Sequence, residues 1–373
     1  MDNKRVLRFQ ITAPQAGMTV RAFLGQELAL TPHQISRLKF QEEGIRVDGR
    51  KVYVNHVLLK GEILTVGLTE QVSRRDTEGG RTARVWEPPA PSLCATPLRV
   101  LYEDEDIIVV DKPAGLVVHP SPGHYSDTLS NQVAEHLGAV GTALDIRVTG
   151  RLDKETSGIV TFAQNTEAAA MIQRQRAEGS LTKIYLALAE GRVEQTEGVV
   201  DVPLRRLRPG ESFARQGAQD GRDVPGTGED PCAADSARID KRMTAAPDGK
   251  PARTFYRVLE YCEDEEGVQR TLLACRIEHG RTHQIRVHMA YIGHPLAGDP
   301  LYGTAPRGSE QEKARRVPSA LSDPRMCLHA WRLSMRQPFT GERIEVEAKA
   351  PDWADTESLQ SLKSTGLYED IKA

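Results

Sequence analysis

Gly150-Arg151-Leu152-Asp153-Lys154-Glu155-Thr156-Ser157-Gly158 runs directly into Ile159-Val160-Thr161-Phe162-Ala163. A dense polar segment feeding a short apolar, β-branched run reads as a loop leading into a buried strand. Upstream, Ile107-Ile108-Val109-Val110 is a second such run, turned by Lys112-Pro113-Ala114-Gly115 and resumed at Leu116-Val117-Val118-His119-Pro120. Downstream, Ile184 to Ala189 alternates so that Tyr185, Ala187 and Ala189 share one strand face. Thr271 to Ile277 is a further strand. Helices are read between these strands. One carries Leu129, Val133 and Leu137, capped by Asp127 and ended by Gly138. A second runs from a Thr166 cap to about Ala177. A third, capped by Thr282, has Ile285, His288, Met289 and Ile292 on one face. Strands and helices are thus mixed from 98 to 350.

The N-terminal 70 residues read differently. Residues 5–11 alternate as a strand. Thr31-Pro32-His33-Gln34 has the N-cap, first-position proline and capping-box glutamine of a helix start. Ile35 and Leu38 continue that helix, Arg37 and Lys39 decorate it, and Gly44 is placed to end it. Ile45 to Val54 reads as strand, Asp48-Gly49 turn, strand, and Gly61 to Val66 adds another. Residues 71–97, with Gly79-Gly80 and four prolines, read as a linker. Residues 208–251 are rich in Gly, Pro, Asp and Arg and read as a mobile insertion that buries little. Residues 305–325 form a shorter polar insertion, and 351–373 a tail.

The chain has 373 residues, 39% of them hydrophobic, which is enough for a sizeable core. No apolar run approaches the ~20 residues of a membrane span, and no secretory signal opens the chain. Five widely spaced cysteines without a Cys-x-x-Cys pair disfavour a disulfide scaffold, a zinc ribbon or a redox motif, and fit a reducing cytoplasm. The net charge of −3 is unevenly spread. Residues 1–70 carry 10 Lys and Arg against 7 Asp and Glu, whereas residues 338–373 carry 4 against 8. A basic face is therefore compatible with an acidic total.

Each polar segment has a bland reading beside a chemical one. Asp153 is either a local cap in a solvated turn, with Thr156-Ser157-Gly158 as filler, or a carboxylate kept ionised by flanking Arg and Lys for nucleophilic or base chemistry. Glu278-His279-Gly280-Arg281-Thr282-His283-Gln284-Ile285-Arg286-Val287-His288 is either a solvated basic helix start or an anion site. Tyr185 is either half-buried packing or part of a cleft. Asp299-Pro300-Leu301-Tyr302-Gly303 reads as a turn. The histidines match no strong zinc motif, and neither a Gly-x-Ser-x-Gly elbow nor a phosphate-binding glycine loop is present.

Taken in order, Asp111-Lys112-Pro113-Ala114-Gly115, Val117-Val118-His119-Pro120, Arg151 to Gly158, Lys183-Ile184-Tyr185, Gly280 to His288 and Gly293 to Gly303 resemble the RluA/RluD class of RNA pseudouridine synthases. The resemblance covers about 98–350. Residues 17–68 resemble an S4-like RNA-binding domain. The fold implied is α+β: a central mixed, mostly antiparallel sheet flanked by helices, with a small α+β module before it.

The resemblance implies an isomerisation that needs no cofactor and no metal. The N1–C1′ bond of a uridine is cut, the base turns, and C5 joins C1′. Asp153 matches the essential aspartate, acting either at C1′ or on the 2′ position. Arg286 matches its arginine partner, and Tyr185 the tyrosine that stacks on the uracil. Arg151 matches the residue that fills the gap left by the flipped base. Arg37, Lys39, Arg281 and His283 are the expected RNA contacts. The family commonly has His before Arg-Leu-Asp, and here that residue is Gly150. The expected partner is RNA, most of all large-subunit ribosomal RNA, met by a cytoplasmic monomer. Rivals are a tRNA or dual-specificity synthase, a non-catalytic ribosome-assembly protein, and a metal hydrolase using His279, His283 and His288.

Overall fold

The computed structural model describes residues 4–28, 30–41, 43–69, 85–94, 96–142, 146–216, 242–263, 267–303, 326–354 and 359. Most of the 71–97 segment, the middle of the 208–251 insertion, the 305–325 insertion and most of the tail lie outside the described residues.

The first unit comprises β1 (Lys4–Gln10), α1 (Val20–Gln26), α2 (Pro32–Leu38), β2 (Ile45–Val47), β3 (Arg50–Lys51) and β4 (Ile63–Thr69). Its four strands make an antiparallel sheet in the order β1-β4-β2-β3. The capping box at α2 is formed: the Gln34 amide donates to Thr31 Oγ1, and the Thr31 amide to Gln34 Oε1. Asp48 and Gly49 both take positive φ, at 46° and 76°, and close the β2–β3 turn. The strand after this turn is only Arg50–Lys51, shorter than the pattern to Val54 implied. Gly44 does not end α2, which stops at Leu38. A Cβ at Gly44 would press on the Leu38 carbonyl carbon at 2.9 Å. Fifteen buried side chains, including Phe23, Leu24, Leu58 and Val66, give this unit its own core.

The second unit begins with α3 (Pro91–Cys94), β5 (Arg99–Glu103), β6 (Ile107–Lys112), α4 (Leu129–His136), β7 (Arg147–Val148) and β8 (Ser157–Ala163). Then come α5 (Thr166–Ala177), β9 (Thr182–Glu190), β10 (Glu197–Asp201), β11 (Leu204–Arg206), β12 (Met243–Ala245), β13 (Arg253–Glu263) and β14 (Gln269–Ile277). It closes with α6 (Gln284–Tyr291), β15 (Leu328–Arg336), β16 (Arg343–Glu347) and a 3-10 turn at Asp352–Ala354. The main sheet runs β10-β13-β14-β9-β15-β8-β6-β5, with β16 on β15 and β7 on β8. Among the described residues only β15 against β8 is parallel, so the sheet is mixed and mostly antiparallel.

β9 shows the alternation expected of it. Tyr185, Ala187 and Ala189 enter the largest core with Leu152, Ile285 and Met289. Ile184, Leu186 and Leu188 enter a second core around Trp331. Thr156-Ser157-Gly158 is not filler. Ser157 Oγ lies 2.8 Å from His329 Nδ1. Gly158, at φ +100°, lets β15 approach so closely that a Cβ would stand 2.7 Å from the Ala330 nitrogen.

Several local expectations are corrected. Asn165, not Thr166, caps α5, because its Oδ1 accepts from the Ala168 amide at 2.7 Å. Thr128 stands at the α4 N-cap, while Asp127 is turned to His124. His283, in the left-handed region at φ 56°, precedes α6 in place of Thr282. The end of the expected linker belongs to the large unit, since Trp86 is buried in its core. The start of the expected tail also packs, with Ala354 and Leu359 beside Trp331. The root of the 208–251 insertion is built into the fold, because β12 pairs with β11 and Phe213 lies against Tyr302. Among the described residues no helix is long and apolar enough to cross a membrane.

Candidate active site

Asp153 stands in the loop between β7 and β8, and its position is set from beneath. Lys112, at the end of β6, is completely buried and donates from Nζ to the carbonyls of Pro113 (2.9 Å), Leu116 (2.8 Å) and Lys154 (2.9 Å). The Gly115 amide also donates to the Lys154 carbonyl, at 2.8 Å. The residue after Asp153 is thus clamped to the neighbouring strand end. Burial pushes the Lys112 ammonium down to about 7, against the pull of Glu155, Asp153 and Asp111. By sequence Lys112 reads as the start of a turn. Its place on the same strand as the apolar run Ile107 to Val110, two residues beyond it, is the signal that puts it inside.

Arg286 comes from α6, where the helix packs Ile285 and Met289 into the core and turns the arginine back toward the loop. It holds two carboxylates unequally. Asp299 takes Nε and Nη2, each at 2.7 Å, while Asp153 Oδ2 receives Nη1 at 3.3 Å. The Asp299 side chain is 0% exposed, Arg286 5% and Asp153 23%. The inner pair therefore fixes the guanidinium plane, and the outer carboxylate stays open to the cleft. Burial disfavours the Arg286 cation, but the hydrogen bonds and charge of Asp299, reinforced by Asp153, hold it above its ordinary range. Asp299 also accepts from the Leu301 and Tyr302 amides, at 2.9 and 3.2 Å. What reads as a turn is the support of the arginine.

His283 completes this side. Its Nε2 is 3.8 Å from Asp153 Oδ2, and its Nδ1 is 2.9 Å from the Tyr302 hydroxyl. That hydroxyl accepts from the Met243 amide at 2.8 Å, which leaves its own proton for His283 Nδ1. Neutral His283 then carries its hydrogen on Nε2, facing Asp153. Burial lowers the His283 imidazole, opposed by Asp153, which favours this neutral form.

Tyr185 lines the same cleft from β9. Burial raises its phenol to about 12, with Arg176 opposing and Asp153 adding to the shift, so the hydroxyl stays protonated at neutral pH. Arg151 reaches across the mouth and donates to Thr282 Oγ1 at 2.6 Å. Arg281 lines the cleft and is tied by Nε to the Pro251 carbonyl at 3.0 Å. Arg37 lines it from the N-terminal unit. Lys39 is not brought there, and its ammonium lies over the Phe40 ring, 4.6 Å from the centroid. The cleft measures about 2650 Å³ and runs from Val6, Thr31 and Arg37 to Asp153 and Arg286. The two units meet beside it: Met171 and Phe339 pack on the N-terminal core, Gln34 reaches Glu167 at 3.5 Å, and Arg174 reaches the Gln26 carbonyl.

Of the hydrolase rival's histidines, His283 is held by Tyr302. His288 spends both ring nitrogens on Thr254 Oγ1 (2.8 Å) and the Val202 carbonyl (3.0 Å). Among the described residues no group of three metal-ligating side chains converges.

A buried arginine presenting an open carboxylate, beside a protonated tyrosine in a long arginine-bearing cleft, is an arrangement suited to an enzyme with a large anionic substrate. The comparisons with known proteins agree. Residues 106–291 match the family model described as RNA pseudouridylate synthase. The chain is 34% identical over 358 residues to ribosomal large subunit pseudouridine synthase D of Nitrosomonas europaea, spanning 94% of this chain and 86% of that protein. It is 33% identical over 325 residues to the uncharacterized RNA pseudouridine synthase YlyB of Bacillus subtilis, spanning 86% and 91%. Over 255 residues it is 35% identical to ribosomal large subunit pseudouridine synthase D of Pseudomonas aeruginosa, spanning 68% and 69%. The chain belongs to the RNA pseudouridine synthase family, isomerases that act on RNA uridines.

Proposed function

We propose that this enzyme converts specific uridines of large-subunit ribosomal RNA to pseudouridine, with Asp153 acting on the flipped-out nucleotide. The observation that carries the reading is the Asp153 carboxylate held toward the cleft by a single Nη1 of Arg286, 3.3 Å away. Asp153 acts on the ribose, as nucleophile at C1′ or as base at the 2′ hydrogen. Arg286 steadies its charge through that step, and His283 offers an N–H from the other side. Tyr185 lies under the uracil while the glycosidic bond to N1 breaks and C5 bonds to C1′. The C5 hydrogen leaves as a proton and N1 ends protonated, so electrons balance without a redox partner. Arg151, at the mouth, occupies the stack that the base leaves.

Large-subunit ribosomal RNA is favoured by the names of the relatives above and by the N-terminal unit, which we read as an S4-like RNA-binding module opening onto the same cleft. Arg37 on that unit, with Arg281 and His283, then contacts the RNA in the cleft, Lys39 adds only charge from outside it, and the salt dependence of binding should be steep. Such a substrate belongs to the cytoplasm. The test is tritium release from RNA labelled at uridine C5, with ribosomal RNA and tRNA run separately and Asp153→Asn beside the wild type. Release from ribosomal RNA by the wild type alone supports the reading. Release from tRNA alone moves the substrate class. Equal release by Asp153→Asn removes Asp153 from the chemistry. Salt-sensitive binding with no release from either RNA favours the assembly-factor reading.

A further inference from the structure

Gly150 opens the Asp153 loop, and its backbone is not in the left-handed region, so conformation does not demand a glycine there. Space does. A Cβ at residue 150 would collide with the Arg176 guanidinium, lying 3.1 Å from Cζ and 3.2 Å from Nη1, with Nη2 nearer still. Arg176 sits in the last turn of α5. That helix is anchored over the loop by Gln173, whose Nε2 donates to the Thr149 carbonyl at 3.3 Å. The Nη2 end of the guanidinium therefore abuts the one loop residue that has no side chain, on the wall of the cleft that holds Asp153 and Tyr185.

The charge on Arg176 is unspent. Arg286 is committed to Asp299 and Asp153, Arg151 to Thr282, and Arg281 to Pro251. Arg174, one turn end away, reaches Glu178 at 2.7 Å. The Arg176 side chain makes no hydrogen bond or ion pair among the described residues. Lys183 couples to it unfavourably. Burial, together with the Arg176 charge, pushes the Lys183 ammonium down to about 7, and Lys183 is itself turned to the Ile159 carbonyl at 2.8 Å. A half-buried guanidinium set beside another basic group, with no carboxylate paired to it among the described residues, is stabilised by an anion from outside. Its planar fork suits a phosphate.

We infer that Arg176 binds a backbone phosphate of the RNA strand next to the target uridine, and that Gly150 is small in order to leave room for it. This rests on the reading that the substrate is RNA. The consequence is a specific coupling: residue 150 acts on substrate binding only through residue 176.

The experiment is a double-mutant cycle on the full chain, with large-subunit ribosomal RNA transcripts as the probe. It reads binding across a salt series, steady-state tritium release and thermal midpoint. Arg176→Gln should raise KM by roughly 10-fold, keep kcat within about twofold, and flatten the salt slope by about one. Arg176→Lys should keep the slope. Gly150→Ala displaces only the end of a flexible side chain, so it should retain the thermal midpoint and reproduce the KM defect. The pair together should be no worse than either alone. An unchanged KM and salt slope in Arg176→Gln overturns the inference. So does a fall in kcat with KM retained, or full additivity of the two substitutions. If the wild type releases no tritium from this RNA, the substrate reading fails. The salt slope of Arg176→Gln binding still decides the role of Arg176.

Discussion

Asp299 grips Arg286 through two hydrogen bonds of 2.7 Å and so decides which nitrogen the arginine can give away. Nη1 is the remaining one, and it goes to Asp153. One guanidinium between two carboxylates leaves the group with net negative charge. The inner pair is buried and bidentate, the outer one single and longer, so Asp153 keeps free lone pairs toward the substrate.

Asp299→Asn should therefore damage both the fold and the chemistry. It leaves Arg286 without its buried counter-charge, a change that costs about 3–5 kcal/mol where such pairs are broken. The freed arginine should then close on Asp153 as a tight bidentate pair. Melting and tritium release on one preparation check this: the midpoint should fall, and kcat should fall more than KM rises. A stable variant with wild-type kcat would show that Asp299 does not orient the arginine.

Acid should destabilise the protein through His329, whose Nδ1 faces Ser157 beneath the Asp153 loop. Burial holds this imidazole down to about 4, against an ordinary 6.5. Between pH 6.5 and 4 the unfolded chain takes up a proton that the fold refuses. The contribution is complete above pH 6.5 and lost as pH falls toward 4, a difference of about 3 kcal/mol. His283 and His288 are lowered in the same direction. Thermal midpoints at pH 7 and 4.5 should lie closer together in His329→Gln than in the wild type; an equal gap would put the acid sensitivity elsewhere.

Tyr302 joins the insertion root to the active site. Its hydroxyl accepts from the Met243 amide and meets His283 Nδ1. Tyr302→Phe keeps the ring against Phe213 but strands that amide, which should cost about 1–3 kcal/mol. Hydrogen exchange at Met243 should accelerate, and turnover should fall as His283 loses its fixed tautomer. Unchanged exchange at Met243 would disconnect the insertion from the site.

Arg37 and Lys39 are two residues apart on the N-terminal unit, yet Arg37 lines the cleft and Lys39 rests on Phe40. Arg37→Gln should weaken RNA binding at every sequence tested and flatten the salt slope by about one. Lys39→Gln should change it less. Deleting residues 1–70 should reduce affinity for structured RNA more than kcat on a short substrate. Equal effects of the two single substitutions would mean that RNA leaves the cleft along the Phe40 side.

The elements legible beforehand were those that local chemistry dictates. The Thr31–Gln34 capping box, the Asp48-Gly49 turn and the two faces of the Tyr185 strand follow from hydrogen bonds and side-chain period within a few residues. Asp153, Tyr185 and Arg286 were also legible as motif positions, and the structure brings them to one cleft. The helix caps Thr128, Asn165 and His283 each stand one residue from the position the sequence suggests, because several polar residues compete at each start and packing chooses among them.

The sequence by itself determined the α+β class, the basic N-terminal module and the residue types available for chemistry, since periodicity, capping and motif order are properties of neighbours along the chain. Only the tertiary structure decided how those charges are shared. Asp299 reads as a turn until the chain returns it to Arg286, and Lys112 as loop until three carbonyls close round it. Arg176 reads as one more helix arginine until the helix lays it on Gly150. Each of these depends on partners brought together from separate segments, and a buried charge takes its meaning from the partner that folding places against it.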